Sequence, residues 1–70
     1  MEPVTRSEIA DHIEDAFVGA GAADRAELIE AARRSGARGE VIATLERLPD
    51  RRYAGLRQLW MALPELPVRA

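Results

Sequence analysis

Seventy residues hold a single domain, and a chain this short buries only about 60% of the surface its unfolded form exposes. It contains no cysteine, which excludes a disulfide staple and a thiolate metal site, so helix packing has to supply the stability. The apolar fraction of 47% comes mostly from Ala, Leu, Ile and Val, with Phe17, Tyr53 and Trp60 as the aromatics, a composition that favours helices over sheets. No apolar run approaches the ~20 residues that cross a bilayer. The acidic amino end (Glu2, Glu8, Asp11) lacks the basic and apolar segments of a secretory signal. A cytoplasmic protein with no membrane partner is the expectation.

The formal net charge is -2, but its distribution along the chain is lopsided. Residues 1–32 hold eight acids against Arg6 and Arg25, whereas residues 33–57 hold seven arginines against Glu40, Glu46 and Asp50. Either folding brings the two halves together, or it leaves a basic face for phosphate or an acidic partner. All ten cations are arginine, which excludes lysine Schiff-base chemistry.

The first helix begins at Thr5, which stands three residues before Glu8 in capping-box spacing, with Val4 and Ile9 at the positions of a hydrophobic staple. Its apolar face runs through Ile13, Ala16 and Phe17, predicting a helix over 6–18 with an acidic outer face, ended by Gly19 and Gly21. Asp24 and Glu27 repeat the cap-and-return spacing at the start of helix two, whose stripe is Leu28, Ile29 and Ala32. Arg33 and Arg34 suit its carboxy-terminal dipole, and Gly36 suits a left-handed cap. Helix three follows, with Val41, Ile42, Leu45 and Leu48 on one face, and Pro49 stops it. A fourth series (Tyr53, Leu56, Leu59, Trp60, Leu63) predicts a helix over 55–63, ended by Pro64. No strand pattern is visible. The expected architecture is an all-α, small four-helix domain over residues 1–63 with a helix-turn-helix-like central hairpin, followed by an extended C-terminal tail, residues 64–70, whose fraying is the simplest account.

The pattern Leu28-Ile29-x-x-Ala32-x-x-x-Gly36-Ala37, followed by Val41-x-x-x-Leu45-Glu46-x-Leu48-Pro49-Asp50-x-x-Tyr53, resembles the bacterial domain-of-unknown-function family DUF2795, whose members look like small helical proteins. The resemblance covers residues 24–63, and Leu48-Pro49-Asp50-Arg51-Arg52-Tyr53 is its most specific part. The chain departs from the family at Arg38-Gly39, where a small acidic cap is usual, and at Gly55, where Ser or Asp usually caps the last helix. The resemblance implies a fold and carries no chemistry.

A helix-turn-helix places Gly36 in its turn, with Ala32 four residues before and Ile42 and Leu45 six and nine after. Arg38, Glu40, Thr44 and Arg47 would then face outward from a recognition helix, with Arg33, Arg34, Arg51 and Arg52 near backbone phosphates. Ala37 is small for that motif, and Glu40 and Glu46 would repel phosphate. His12 lies among Glu8, Asp11 and Asp15, but a lone histidine makes a poor transition-metal site, and a solvated acidic face is the simpler reading. Ser7 and Ser35 show no base and orienting acid in sequence. Tyr53 and Trp60 read as core anchors and Met61 as exposed.

These readings converge on a non-enzymatic protein–protein interaction or regulatory module. Arg33, Arg34, Arg38, Arg47, Arg51 and Arg52 form its expected partner-binding set, and no catalytic residue, metal or cofactor is expected. Duplex DNA bound through helix three is the alternative, and pairing of acidic and basic halves between subunits would make a homo-oligomer.

Overall fold

The computed structural model describes residues 3–18 and 21–68. Four helices are present: α1 (Arg6–Ile13), α2 (Arg25–Arg34), α3 (Gly39–Glu46) and α4 (Leu56–Ala62). Two short strands, β1 (Ala23–Asp24) and β2 (Arg52–Tyr53), pair antiparallel with Ala23 opposite Tyr53 and Asp24 opposite Arg52. This ladder corrects the expectation of no strand. Two residues per strand are too few to carry a period-two pattern, so only the approach of two distant segments creates it.

The starts of α1 and α2 follow the capping chemistry, with one exchange of partner at Glu8. The Thr5 hydroxyl accepts from the Glu8 N–H at 3.1 Å, but the Glu8 carboxylate binds Arg38 rather than returning to the cap. At α2 the box is complete: the Asp24 carboxylate accepts from the Glu27 N–H and Glu27 from that of Asp24, at 2.8 and 3.0 Å. The first helix is shorter than its predicted span. After Ile13 it tightens into a 3₁₀ turn over Glu14–Phe17, because Glu14 and Asp15 place negative charge at the helix end that already carries it. Gly21, at φ +73°, supplies a left-handed step before β1. Gly19 lies outside the described residues.

The α2–α3 turn is a Schellman cap. Gly36 takes φ +78°, its N–H donates to the Arg33 carbonyl, and the Ala37 N–H donates to that of Ala32. This satisfies carbonyls that the end of α2 would otherwise leave open. It also turns the chain so that Leu28 and Ala32 meet Val41 and Leu45, all fully buried. Ile9 and Ile13 of α1, Leu48, Tyr53, Leu59 and Leu63 complete the interior, while Ile29, Ile42, Leu56 and Trp60 pack half-buried at its edge.

The chain beyond Pro64 is not a loose tail over its described part. Leu66 is buried against the core, and the carbonyls of Pro67 and Val68 accept from the N–H groups of Arg6 and Ser7 at 2.8 and 3.0 Å. Those two N–H groups belong to the first turn of α1, which has no intrahelical acceptor for them.

Leu45→Ala removes a fully buried side chain and is expected to cost about 2–5 kcal/mol, measured by urea unfolding followed by circular dichroism. Tyr53→Phe keeps the ring but deletes the hydroxyl that donates to the Pro49 carbonyl at 2.6 Å. Its expected cost is about 1 kcal/mol.

Candidate protein-interaction surface

Folding places the six arginines in separate surroundings, most of them engaged within the molecule. Arg38 grips Glu8 with two hydrogen bonds, Nε to Oε2 at 2.6 Å and Nη2 to Oε1 at 2.7 Å, and also donates to the Pro3 carbonyl at 3.1 Å. The start of α3 is thereby tied to α1. Arg47 pairs with Glu65, joining α3 to the C-terminal segment. Arg34 lies 3.6 Å from Glu30 one turn earlier on α2, and Arg52 lies 3.9 Å from Glu27. Arg33 is exposed in the last turn of α2. Arg51 stands over the Tyr53 ring at 5.5 Å from its centroid. Much of the charge asymmetry along the chain is therefore used internally.

What the fold does bring together is Arg51 and Arg52 with Gln58 and Met61, around a concavity of about 310 Å³. Met61 is 74% exposed, while Tyr53 beneath Arg51 is fully buried. Two guanidinium groups and a polarizable thioether thus share one surface, supported from below by the core. Gln58 is held in place because its side-chain oxygen accepts from the Ala54 N–H at 2.8 Å, standing in for the absent side-chain cap at Gly55.

The outward face expected for helix three needs correction. Thr44 is buried, and its hydroxyl donates to the Glu40 carbonyl at 2.8 Å. It lies on the same stripe as Val41, Leu45 and Leu48, a spacing of three, four and seven that was available in the sequence. Arg38 and Arg47 are both engaged by carboxylates.

Sequence spacing also missed a larger concavity, of about 700 Å³, between α2 and the α1–3₁₀ segment. At one end the His12 Nδ1 and the Ser35 hydroxyl share a hydrogen bond of 2.7 Å, bringing together residues 23 apart in the chain. A serine–histidine contact is the first element of a nucleophile–base pair, but this one is poorly set for acyl transfer. Ser35 caps the carboxy end of α2, where the helix dipole opposes an oxyanion. The N–H groups of Ser35, Gly36 and Ala37 are spent on carbonyls of that helix. The contact acts as a clasp between α1 and α2. Among the described residues no group of three or more His, Asp or Glu side chains is arranged to hold a metal ion, and no helix is long and apolar enough to cross a membrane.

The geometry defines a small helical domain built on a central hairpin and closed by a two-residue ladder. The chain belongs to the family described as protein of unknown function (DUF2795), whose profile matches residues 23–60. No curated protein and no solved structure matches it. Within that span, Leu48-Pro49-Asp50-x-x-Tyr53 has a structural explanation. The Leu48 carbonyl accepts from Arg25, the Pro49 carbonyl accepts from the Tyr53 hydroxyl, and Asp50 lies 3.9 Å from Arg25.

Hydrogen bonds from Arg38 hold the Glu8 carboxyl below its ordinary value of 4.5, against the opposing effect of burial. Glu65 is lowered too, first by its own backbone N–H and then by Arg47. A depressed folded-state value means that the Glu8 contribution to stability is complete above the unfolded value and is lost as pH falls through the folded one. Urea midpoints are therefore expected to drop below about pH 4.5. Glu8→Gln is expected to lower the midpoint at neutral pH and to flatten that acid dependence. An unchanged acid slope in the variant would remove Glu8 as its source.

Proposed function

We propose that this domain is a non-enzymatic protein–protein interaction or regulatory module whose contact surface centres on Arg51 and Arg52 beside Met61. The observation carrying this reading is the juxtaposition of two exposed guanidinium groups with a 74% exposed methionine around one shallow concavity. Such a surface suits a partner segment that combines carboxylates with an apolar side chain: arginine offers directed hydrogen bonds and methionine an adaptable apolar contact. Interfaces are enriched in these residue types at their energetic centres.

Duplex DNA read by α3 is the less favoured alternative. Two arginines expected to read it are bound to Glu8 and Glu65, Thr44 is buried, and Glu40 and Glu46 stand on the same helix. Binding phosphate there would require exchanging intramolecular carboxylates for phosphate on a helix that retains two acids.

The test is capture from native cell extract on the immobilised full chain, with and without nuclease. A retained protein that resists nuclease and is lost with Arg51→Glu, Arg52→Glu and Met61→Asp is the expected result. Retention indifferent to those changes would place the contact elsewhere. Nuclease-sensitive binding with steep salt dependence, abolished by Arg38→Ala and Arg47→Ala, would establish the DNA alternative instead.

A further inference from the structure

The larger concavity lies apart from the arginine–methionine surface and has the opposite charge. Small side chains line it: the half-buried Ala16 from the 3₁₀ turn and Ala31 from α2 form its floor, and the exposed Ala26 stands beside them in the first turn of α2. Alanine at these positions keeps the two helical walls from filling the space between them, and leaves apolar surface within reach of an incoming chain. The volume of about 700 Å³ falls in the range of about 300–1,000 Å³ that bound groups occupy.

The rim carries Asp11 and Asp15 on one wall and Glu27 and Glu30 on the other, all exposed. Glu30 is partly offset by Arg34, and Glu27 has Arg52 at 3.9 Å. Neither Asp11 nor Asp15 takes part in an ion pair among the described residues. The first wall thus presents uncompensated negative charge above an apolar floor. The His12–Ser35 hydrogen bond joins the two walls at one end.

We infer that this groove is a second docking site, for a cationic amphipathic segment of a partner protein. Charge complementarity selects the sign of the occupant, and the floor selects its pattern. Apolar side chains settle on Ala16, Ala26 and Ala31, while lysine or arginine stems lie along the walls and carry their charged ends to the carboxylates at the rim. A free cation would find the carboxylates but nothing to use the floor. An acidic segment would be repelled. None of Arg51, Arg52 and Met61 lines the groove, and Arg52 reaches its rim only through Glu27, so changes at Arg51 and Met61 test the two surfaces independently.

The experiment titrates the isotopically labelled full chain at low salt with three synthetic probes: an amphipathic lysine–leucine peptide, its glutamate–leucine counterpart, and a lysine–glycine peptide of the same charge. The lysine–leucine peptide is expected to shift the amide signals of Ala16, Ala26 and Ala31, with affinity falling as salt is raised. Asp11→Asn with Asp15→Asn changes only exposed side chains and is expected to weaken binding about fivefold to tenfold. Ala31→Phe, at a half-buried position of the floor, fills it without altering charge and is expected to abolish the groove shifts. Arg51→Glu with Met61→Asp is expected to leave the peptide bound no less tightly, even if those changes destroy the surface proposed above. Circular dichroism of each variant establishes that the fold persists.

Equal binding of the lysine–glycine peptide would overturn the inference, because the floor would then contribute nothing. So would shifts located outside the groove, no binding at low salt, or an affinity unchanged in the Asp11/Asp15 variant. Concentration-dependent groove shifts in the peptide-free chain would assign the site to a second copy of the molecule, and would also overturn it.

Discussion

The fold depends on how the chain leaves α3. Pro49 denies the helix another turn, which exposes the carbonyls of Leu48 and Pro49 at the edge of an apolar core. The first accepts from the distant Arg25 guanidinium at 3.1 Å, and the second from the Arg51 N–H and the Tyr53 hydroxyl of the same turn at 3.0 and 2.6 Å. Satisfying these groups pulls the start of α2 and the end of the turn together. With Tyr53 sealed in the interior, Ala23 and Asp24 lie alongside Arg52 and Tyr53 and form the ladder. The contact positions α4 as well, since Tyr53 is separated from Leu56 by only two residues.

A second constraint is electrical. The amino-terminal half is acidic and the middle of the chain basic, and several arginines spend their charge within the molecule. Arg38 is the strongest instance, because a guanidinium gripping a carboxylate in parallel fixes orientation as well as distance. Its partner Glu8 lies 30 positions away and gives up the return half of its own helix cap to make the contact. Arg47 performs a similar service for the C-terminal segment. These pairs remove cationic ends from the face of α3, while Arg51 and Arg52 stay exposed beside Met61. The exposed Asp11 and Asp15, without such partners among the described residues, are the counterpart on α1 and its 3₁₀ extension.

The outcome is a domain with two dissimilar surfaces over one small core: a cationic one carrying Met61 and an acidic groove floored by alanine. Glu27 and Arg52 stand within 3.9 Å of each other, and one lines each concavity. The surfaces therefore approach one another at the β-ladder. Rigid elements hold both, since the groove lies between packed helices and the basic surface rests on Tyr53. Helical exteriors over so small a core can still present patterned charge.

Local chemistry in the sequence determined where α1 and α2 begin and where α2, α3 and α4 end. Thr5, the Asp24–Glu27 pair, Gly36, Pro49 and Pro64 act through neighbours a few positions away, and stripes such as Leu28–Ala32 and Val41–Leu45–Leu48 announce which faces turn inward. Residues 23–60 also carried a recognisable family pattern. Only the tertiary structure decided the β-ladder, the exchange of Glu8 from its cap to Arg38, the burial of Leu66 with Pro67 and Val68 bonded to α1, and the meeting of His12 with Ser35. Each joins positions widely separated in the chain, and each is governed by competition among donors and acceptors that periodicity does not encode. The groove between α1 and α2 belongs with these, because its alanines are unremarkable in either helix and acquire meaning only when packing places the two walls face to face.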